Sequence, residues 1–250
     1  MNLGSLISKE TLIEGSLWEL SSSVNGFANK SGYDLVTQIA SGRSFQIIDP
    51  NIDHLSNGNK FSRLKVRLLE DGYICWLDYS YIKGQSFSRD KWEPSFLSRI
   101  DIETRIPLVM RWVEKAASNV NKYLWGGSIG PDFDCSGLVQ ASFSSQGIWL
   151  PRDAYQQERF CESISILNGT MNNLLTGDLL FFGDQNKCTH VGIYSSNQFY
   201  WHSSGINNGN NGIKKDKLTP LSDSSIATYY FSKLRGAGRV MSCHDGSTLP

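Results

Sequence analysis

Apolar and polar residues alternate strictly along Arg63-Leu64-Lys65-Val66-Arg67-Leu68, so that Leu64, Val66 and Leu68 share one face and the three basic side chains the other. A period of two predicts a half-buried antiparallel strand. Glu70-Asp71-Gly72-Tyr73 then supplies a turn, and Ile74-Cys75-Trp76-Leu77 resumes as an apolar run ending at Asp78. The rest of residues 1–84 follows the same habit, with short apolar runs, clusters of Gly, Asn, Asp and Ser between them, and no helical period. Several such strands predict a small all-β barrel.

The pattern changes after Gly84. Ser86, Ser88, Arg89, Asp90, Lys91, Glu93 and Pro94 follow in quick succession, which predicts a polar linker over 85–105. Pro107 suits the first turn of a helix, and Val109, Trp112, Val113, Ala116, Ala117 and Val120 continue at helical spacing. A second helix is expected to begin at Cys135, with Leu138, Val139, Ser142 and Phe143 on related turns and Gly147 as its C-cap. Three short strands come next, over Asp178–Gly183, Thr189–Tyr194 and Gln198–His202, and Asn207–Gly212 reads as a plain loop. Residues 106–250 are thus expected to form an α+β domain whose antiparallel sheet follows its helices, preceded by the small barrel.

Composition narrows the function classes. Lys plus Arg (24) equals Asp plus Glu (24), so no global field draws the chain to nucleic acid or to an anionic membrane. Neither partner is expected, and a monomer is. The first seven residues lack the basic and apolar regions of a signal peptide, and no stretch approaches membrane-spanning length, which makes a cytoplasmic protein the expectation. Five cysteines at irregular spacings read as reduced thiols, with Cys75 and Cys161 as core fillers. His54 and His244 read as surface histidines without a role.

One constellation carries chemistry. Phe133-Asp134-Cys135-Ser136-Gly137 puts a thiol where a turn enters a helix. There the free N–H groups and the helix dipole are expected to lower its pKa and to receive an oxyanion. A thiolate needs a proton carrier near neutral pH, and His190, heading a predicted strand, is suited to it. His202 lies on the next strand, close enough in a hairpin to hold the other ring nitrogen of His190. Cys135, Cys188, His190 and His202 could also be set out as zinc ligands, but Cys-x-His lacks the paired spacing of such sites. Gly126-Gly127-Ser128-Ile129-Gly130 has no Lys-Ser/Thr ending and so does not predict a phosphate loop.

Asp134-Cys135-Ser136-Gly137, His190-Val191-Gly192 and His202-Ser203-Ser204-Gly205 together resemble the three motifs of the NlpC-like, papain-fold cell-wall peptidases, in that family's order. Tyr123–Gly127, Pro151–Gln157 and Leu234–Val240 extend the resemblance over about residues 105–241. The N-terminal region resembles, less sharply, the bacterial SH3-like barrel of cyanobacterial γ-D-glutamyl-L-diamino acid endopeptidases, best at Glu70–Tyr73 and Trp76-Leu77. The resemblance implies Cys135 as nucleophile, His190 as base and His202 as third polar residue, with Tyr123 and Trp125 lining the cleft beside the nucleophile. It implies Asp134, Ser136, Asp153 and Ser203 as peptide-binding positions, with Tyr73 and Glu70 or Asp71 facing the substrate amine from the barrel. The implied substrate is a murein peptide, L-Ala-γ-D-Glu-diaminopimelate with a free N-terminus, cut between D-glutamate and the diamino acid during peptidoglycan recycling. No metal or organic cofactor is implied.

Two rivals stay open at this point. A papain-like amidase or acyltransferase would use the same Cys and His on another acyl group, and product analysis separates it. A catalytically silent wall-binding module would bind through the barrel, against which the intact Cys135, His190 and His202 weigh.

Overall fold

A computed structural model describes residues 4–52, 62–166, 171–207, 209–220 and 224–247. The position of His54 lies outside them. The chain divides into two compact units, residues 1–94 with 244–250, and residues 95–243.

The first unit holds β1 (Leu17–Leu20), β2 (Val24–Phe27), β3 (Leu35–Ile39), β4 (Ser44–Asp49), β5 (Arg63–Leu68), β6 (Ile74–Asp78), the short α1 (Tyr79–Ile82) and β7 (Ser86–Arg89). Its strands form one antiparallel sheet in the order β3-β2-β6-β5-β4-β1-β7. The alternation seen in the sequence is realised on β5, where Leu64, Val66 and Leu68 are fully buried with Trp18, Phe45 and Leu77. Each such side chain contributes about 1.5–3 kcal/mol by leaving water. Arg63 departs from the alternation. It is buried, with its guanidinium 3.6 Å from the centre of the Phe27 ring and Nη1 donating to the Asn29 carbonyl at 3.0 Å.

Two boundaries differ from the sequence reading. The expected linker over 85–105 begins with a strand, because β7 pairs with β1 from 66 residues earlier, Leu20 opposite Ser86. The residues facing the sheet there are Ser86 and Ser88, both buried, so a polar stretch hid a strand. At the other end the tail returns to the first unit. Gly72, at φ +68°, lies against the Ser247 backbone, leaving no space for a Cβ. His244, expected on the surface, is buried, and its Nδ1 accepts from the Gly246 N–H at 3.0 Å.

The second unit opens with α2 (Arg99–Ser118), eight residues before the predicted start. Ser98 and Asp101 form a capping box there, each side chain receiving the other's backbone N–H. Pro107 is therefore interior, and Val120, expected on the apolar stripe, lies beyond the helix end and is exposed. After it come β8 (Ser128–Ile129), β9 (Asp132–Phe133), α3 (Cys135–Ser144), α4 (Ala154–Phe160), β10 (Glu162–Ile164), β11 (Leu179–Gly183), β12 (Cys188–Ser196), β13 (Phe199–Ser204), β14 (Gly212–Lys217), α5 (Ser225–Ser232) and β15 (Leu234–Arg239). β10 to β15 make one antiparallel sheet in the order β10-β15-β11-β12-β13-β14.

Side-chain alternation on this sheet builds two cores. Leu179, Phe181, Val191 and Ile193 pack with Val109, Val113, Val139 and Phe143 of α2 and α3. Leu180, Phe182, Tyr194 and Tyr200 point the other way, to Tyr230 of α5. β11 is therefore buried along almost its whole length and carries a continuous apolar run. No helix of the described residues is long and apolar enough to cross a membrane.

Candidate active site

Cys135 is the first residue of α3, and the turn before it is held by one carboxylate. Asp134, the N-cap, accepts at Oδ1 from the Gly137 N–H (2.6 Å), and at Oδ2 from the Gly126 N–H (2.9 Å). Arg152 closes on the same group with its planar fork, Nη1 to Oδ1 at 3.1 Å and Nη2 to Oδ2 at 2.6 Å, and both side chains are buried. Arg152 Nη1 also donates to Ser136 Oγ at 3.0 Å. From α4, Gln157 Nε2 donates to the carbonyls of Ser136 (3.1 Å) and Pro151 (2.9 Å). Gly137 packs its α-carbon against the Gly127 carbonyl so closely that a Cβ would overlap the oxygen. The thiol is thereby set at a rigid helix start.

The sheet brings the imidazoles. The backbone N–H of Val191 on β12 hydrogen-bonds the Cys135 sulfur, which places His190, one residue earlier, at the nucleophile's side. His190 Nε2 lies 2.8 Å from His202 Nδ1, and His202 Nε2 lies 2.8 Å from Asp216 Oδ2 on β14. Asn210 Nδ2 donates to the same Asp216 oxygen at 2.7 Å. An ionised carboxylate only accepts, so His202 Nε2 carries the proton it donates and His202 Nδ1 is an acceptor. His190 Nε2 must then donate, which leaves His190 Nδ1 as the unprotonated nitrogen. Tyr230 of α5 stacks on the His190 ring, with centroids 4.6 Å apart and planes at 30°.

The charges are set by burial. Burial holds His190 well below the usual imidazole value of 6.5, and the neighbouring His202 adds to the shift. Burial also raises the Cys135 thiol to about 12, with the Asp134 carboxylate contributing in the same direction and the Val191 and Ser136 N–H groups opposing. The expected lowering of the thiol by the helix start is therefore overturned, because removing the sulfur from water outweighs the few N–H groups that face it. Asp216 is held below the usual carboxylate range: its partial burial would raise it, but the bonds from His202 and Asn210 win. The resting site is a neutral thiol beside a neutral imidazole backed by a carboxylate. Such a pair can transfer the thiol proton as the sulfur attacks.

A cavity of about 700 Å³ opens at this point, walled by Tyr123, Trp125, His190, Asn207, Asn211 and Tyr230 among others. Burial raises both the Tyr123 and the Tyr230 phenols, and a charge developing on the Cys135 sulfur would raise them further, so both remain hydrogen-bond donors. Trp125 is mostly exposed on the rim. The chemistry the arrangement can perform is nucleophilic attack on a carbonyl by sulfur, with proton return through His190. Among the described residues no group of three or more His, Cys, Asp and Glu side chains is disposed to hold a metal ion. Cys188 instead turns its sulfur to the His190 carbonyl at 3.3 Å.

Several residues implied as peptide-binding have other partners. Asp134 is taken up by the donors above, and Ser136 by Arg152 and Asp134. Ser203 is fully buried and donates to the Phe133 carbonyl at 2.6 Å, tying β13 to the strand before the nucleophile. Glu70 and Asp71 point into the first unit, where Arg43 meets Glu70 Oε2 at 3.1 Å and Asp71 Oδ2 at 2.8 Å. Glu70 also accepts the Ser44 N–H at 2.6 Å, and Asp71 the Tyr73 N–H at 3.0 Å. These carboxylates, expected to face a substrate amine, anchor the barrel core instead, since a buried guanidinium requires their charge. Tyr73 is half-buried against that core. Asp153 is the N-cap of α4 and forms a capping box with Gln156.

Sequence reasoning missed Asp216, Asn210, Tyr230 and the role of Arg152. The Asn-rich segment taken as a plain loop supplies Asn207 and Asn211 to the cavity and Asn210 to Asp216. A signal for Asp216 existed: Lys214-Lys215-Asp216-Lys217 is a basic run broken by one acid.

Residues 120–234 match the NlpC/P60 family. The chain carries an NlpC/P60 domain. Residues 29–82 match the bacterial dipeptidyl-peptidase SH3 domain. The murein DD-endopeptidase MepS/murein LD-carboxypeptidase of Escherichia coli K12 is 36% identical over 118 residues, covering 47% of this chain and 57% of the relative. The γ-D-glutamyl-L-lysine dipeptidyl-peptidase of Bacillus subtilis is 36% identical over 84 residues, covering 32% and 27%. A solved NlpC/P60 family protein from Bacillus cereus aligns over 91% of this chain and 64% of its own, at 18% identity and a TM-score of 0.44. These two curated relatives are thus matched over about a quarter and just over half of their own length.

Proposed function

We propose that this NlpC/P60 protein is a cysteine endopeptidase that hydrolyses the γ-D-glutamyl-L-diamino acid bond of murein peptides with a free N-terminal L-alanine, in peptidoglycan recycling. The hydrogen-bonded chain from Asp216 through His202 to His190, with the N–H of the adjacent Val191 on the Cys135 sulfur, is the observation that carries the reading. The names of the curated relatives, both peptidases of murein or γ-D-glutamyl bonds, support the substrate class.

The mechanism follows from the protonation states. Cys135 sulfur attacks the γ-glutamyl carbonyl while its proton passes to His190 Nδ1, and the resulting imidazolium is stabilised through His202 by Asp216. The oxyanion is received by N–H groups at the start of α3 and by the Tyr123 hydroxyl. The C–N bond breaks as His190 Nδ1–H protonates the leaving amine. Water then loses a proton to His190 and attacks the thioester, and the thiol leaves with that proton.

The test is incubation of purified protein with L-Ala-γ-D-Glu-diaminopimelate, followed by mass spectrometry. L-Ala-D-Glu and free diamino acid are expected, and Cys135→Ala should abolish both. Release of ammonia, transfer to an added amine in preference to water, or full turnover by Cys135→Ala would overturn the proposal. Blocking the alanine amine should stop cleavage, and cell fractionation tests the expected cytoplasmic placement.

A further inference from the structure

Two charged side chains in the cavity have no part in the chemistry above. Of the side chains that wall it, those with formal charge are Asp184 and Lys233. Both stand on the His190 side. Phe182 pairs directly with His190 across β11 and β12, Asp184 is two residues further along, and the Gly183 N–H donates to the Lys233 carbonyl at 2.8 Å. The end of β11 and the end of α5 are thus fastened together beside the imidazole.

Neither charge is used up by the fold. Asp184 Oδ1 accepts the N–H groups of Asn186 (2.8 Å) and Lys187 (3.0 Å), which fixes the carboxylate's direction without neutralising it. Lys233 forms no ion pair among the described residues, whereas its neighbour Arg235 is held by Glu158 at 3.0 Å and donates to the Asp184 carbonyl. Asp184 feels the charge of Arg235 and, less, that of Lys233, yet its carboxylate forms an ion pair with neither. The cavity wall therefore offers one anion and one cation, side by side and apart.

The leaving amine receives its proton from His190, so the diamino acid of the proposed substrate lies on that side of the cleft. We infer that Asp184 and Lys233 form the subsite for the distal end of this diamino acid and select a zwitterionic terminus, ammonium and carboxylate on one carbon, as in diaminopimelate, over the lone ammonium of lysine. Asp184 takes the ammonium and Lys233 the carboxylate. This rests on the peptidase reading above and adds to it the residues that read the distal end of the diamino acid.

The test uses tripeptides L-Ala-γ-D-Glu-X with X as meso-diaminopimelate, its distal carboxamide, or L-lysine, all with a free α-carboxylate. The wild type should prefer diaminopimelate to each of the others by about tenfold in kcat/KM, the size of one charge-assisted contact. Lys233→Met should bring the diaminopimelate-to-lysine ratio close to one, and Lys233→Glu should invert it. Misfolding lowers both rates and leaves the ratio unchanged, so a ratio unmoved by either substitution overturns the assignment. Binding of the same peptides to the Cys135→Ala protein by calorimetry reads the ratio without turnover. Selective binding with no turnover by the wild type would defeat the peptidase reading alone, while equal affinity for diaminopimelate and lysine peptides would defeat the subsite alone.

Discussion

Replacing Asp216 separates two things that the carboxylate does for His190. Its Oδ2 accepts from both His202 Nε2 and Asn210 Nδ2, so in Asp216→Asn the amide would turn its carbonyl oxygen to that position to meet both donors. The proton order along His202 and His190 is then kept and only the charge is lost. A hydrogen bond to a charged group contributes about 1.5–3 kcal/mol and a neutral one about 1 kcal/mol. The imidazolium formed during attack therefore loses roughly 1–2 kcal/mol, a fall in kcat of about tenfold. Asp216→Ala removes the acceptor altogether. His202 is then free to take either tautomer, and the one that presents Nδ1–H to His190 puts the remaining proton of His190 on the nitrogen needed as base. A larger loss, about 100-fold or more in kcat, is expected, by analogy with wrong-tautomer variants of triads. The assay is kcat and KM on the tripeptide, together with 15N spectra of the histidine rings. Wild-type kcat in Asp216→Ala, or a wild-type spectrum with the proton on His190 Nδ1, would refute the relay.

Other outcomes are equally specific. The acid limb of kcat/KM should lie well below pH 6.5, because burial holds His190 neutral there. For stability the sign is opposite to that of a salt-bridged histidine. Between the folded value and 6.5 the unfolded chain binds a proton that the folded one does not, so unfolding free energy should fall as pH drops through that window, and less so in His190→Gln, read by denaturant titration. Arg152→Met leaves the Asp134 carboxylate buried without its fork, which should cost about 3–5 kcal/mol and lower the melting temperature by about 10 °C in calorimetry. Gly137→Ala should fail to fold or lose all activity because its Cβ meets the Gly127 carbonyl, whereas Gly236→Ala, with open space around it, should melt within about 0.5 kcal/mol of wild type.

Local chemistry made part of this protein readable from its residues alone. The strand at Arg63–Leu68, the helix starting at Cys135 and the three apolar strands after it each carry their period within a few residues, and each stands in the structure. The pairing of His190 with His202 was legible for the same reason: they sit on neighbouring strands of a short hairpin, where contact is almost guaranteed. What escaped were features settled by long-range neighbours. The strand at Ser86–Arg89 shows no apolar face because its partner β1 lies far back in the chain and covers two serines.

Asp216 reads as one acid in a basic edge strand until the register of β13 on β14 puts it opposite Tyr200, on the diagonal from His202, whose ring it meets. Glu70 and Asp71 look like an exposed turn, yet Arg43 draws them inside. The ionisation of the site was decided last of all. A helix start favours a thiolate by itself, but only packing determines how much water reaches the sulfur, and here its exclusion prevails. Residue types and short spacings specify which chemical groups are present and which local shapes they take. Which of them lose water, and which charge lies within reach of which, depends on contacts between distant segments that no local period records.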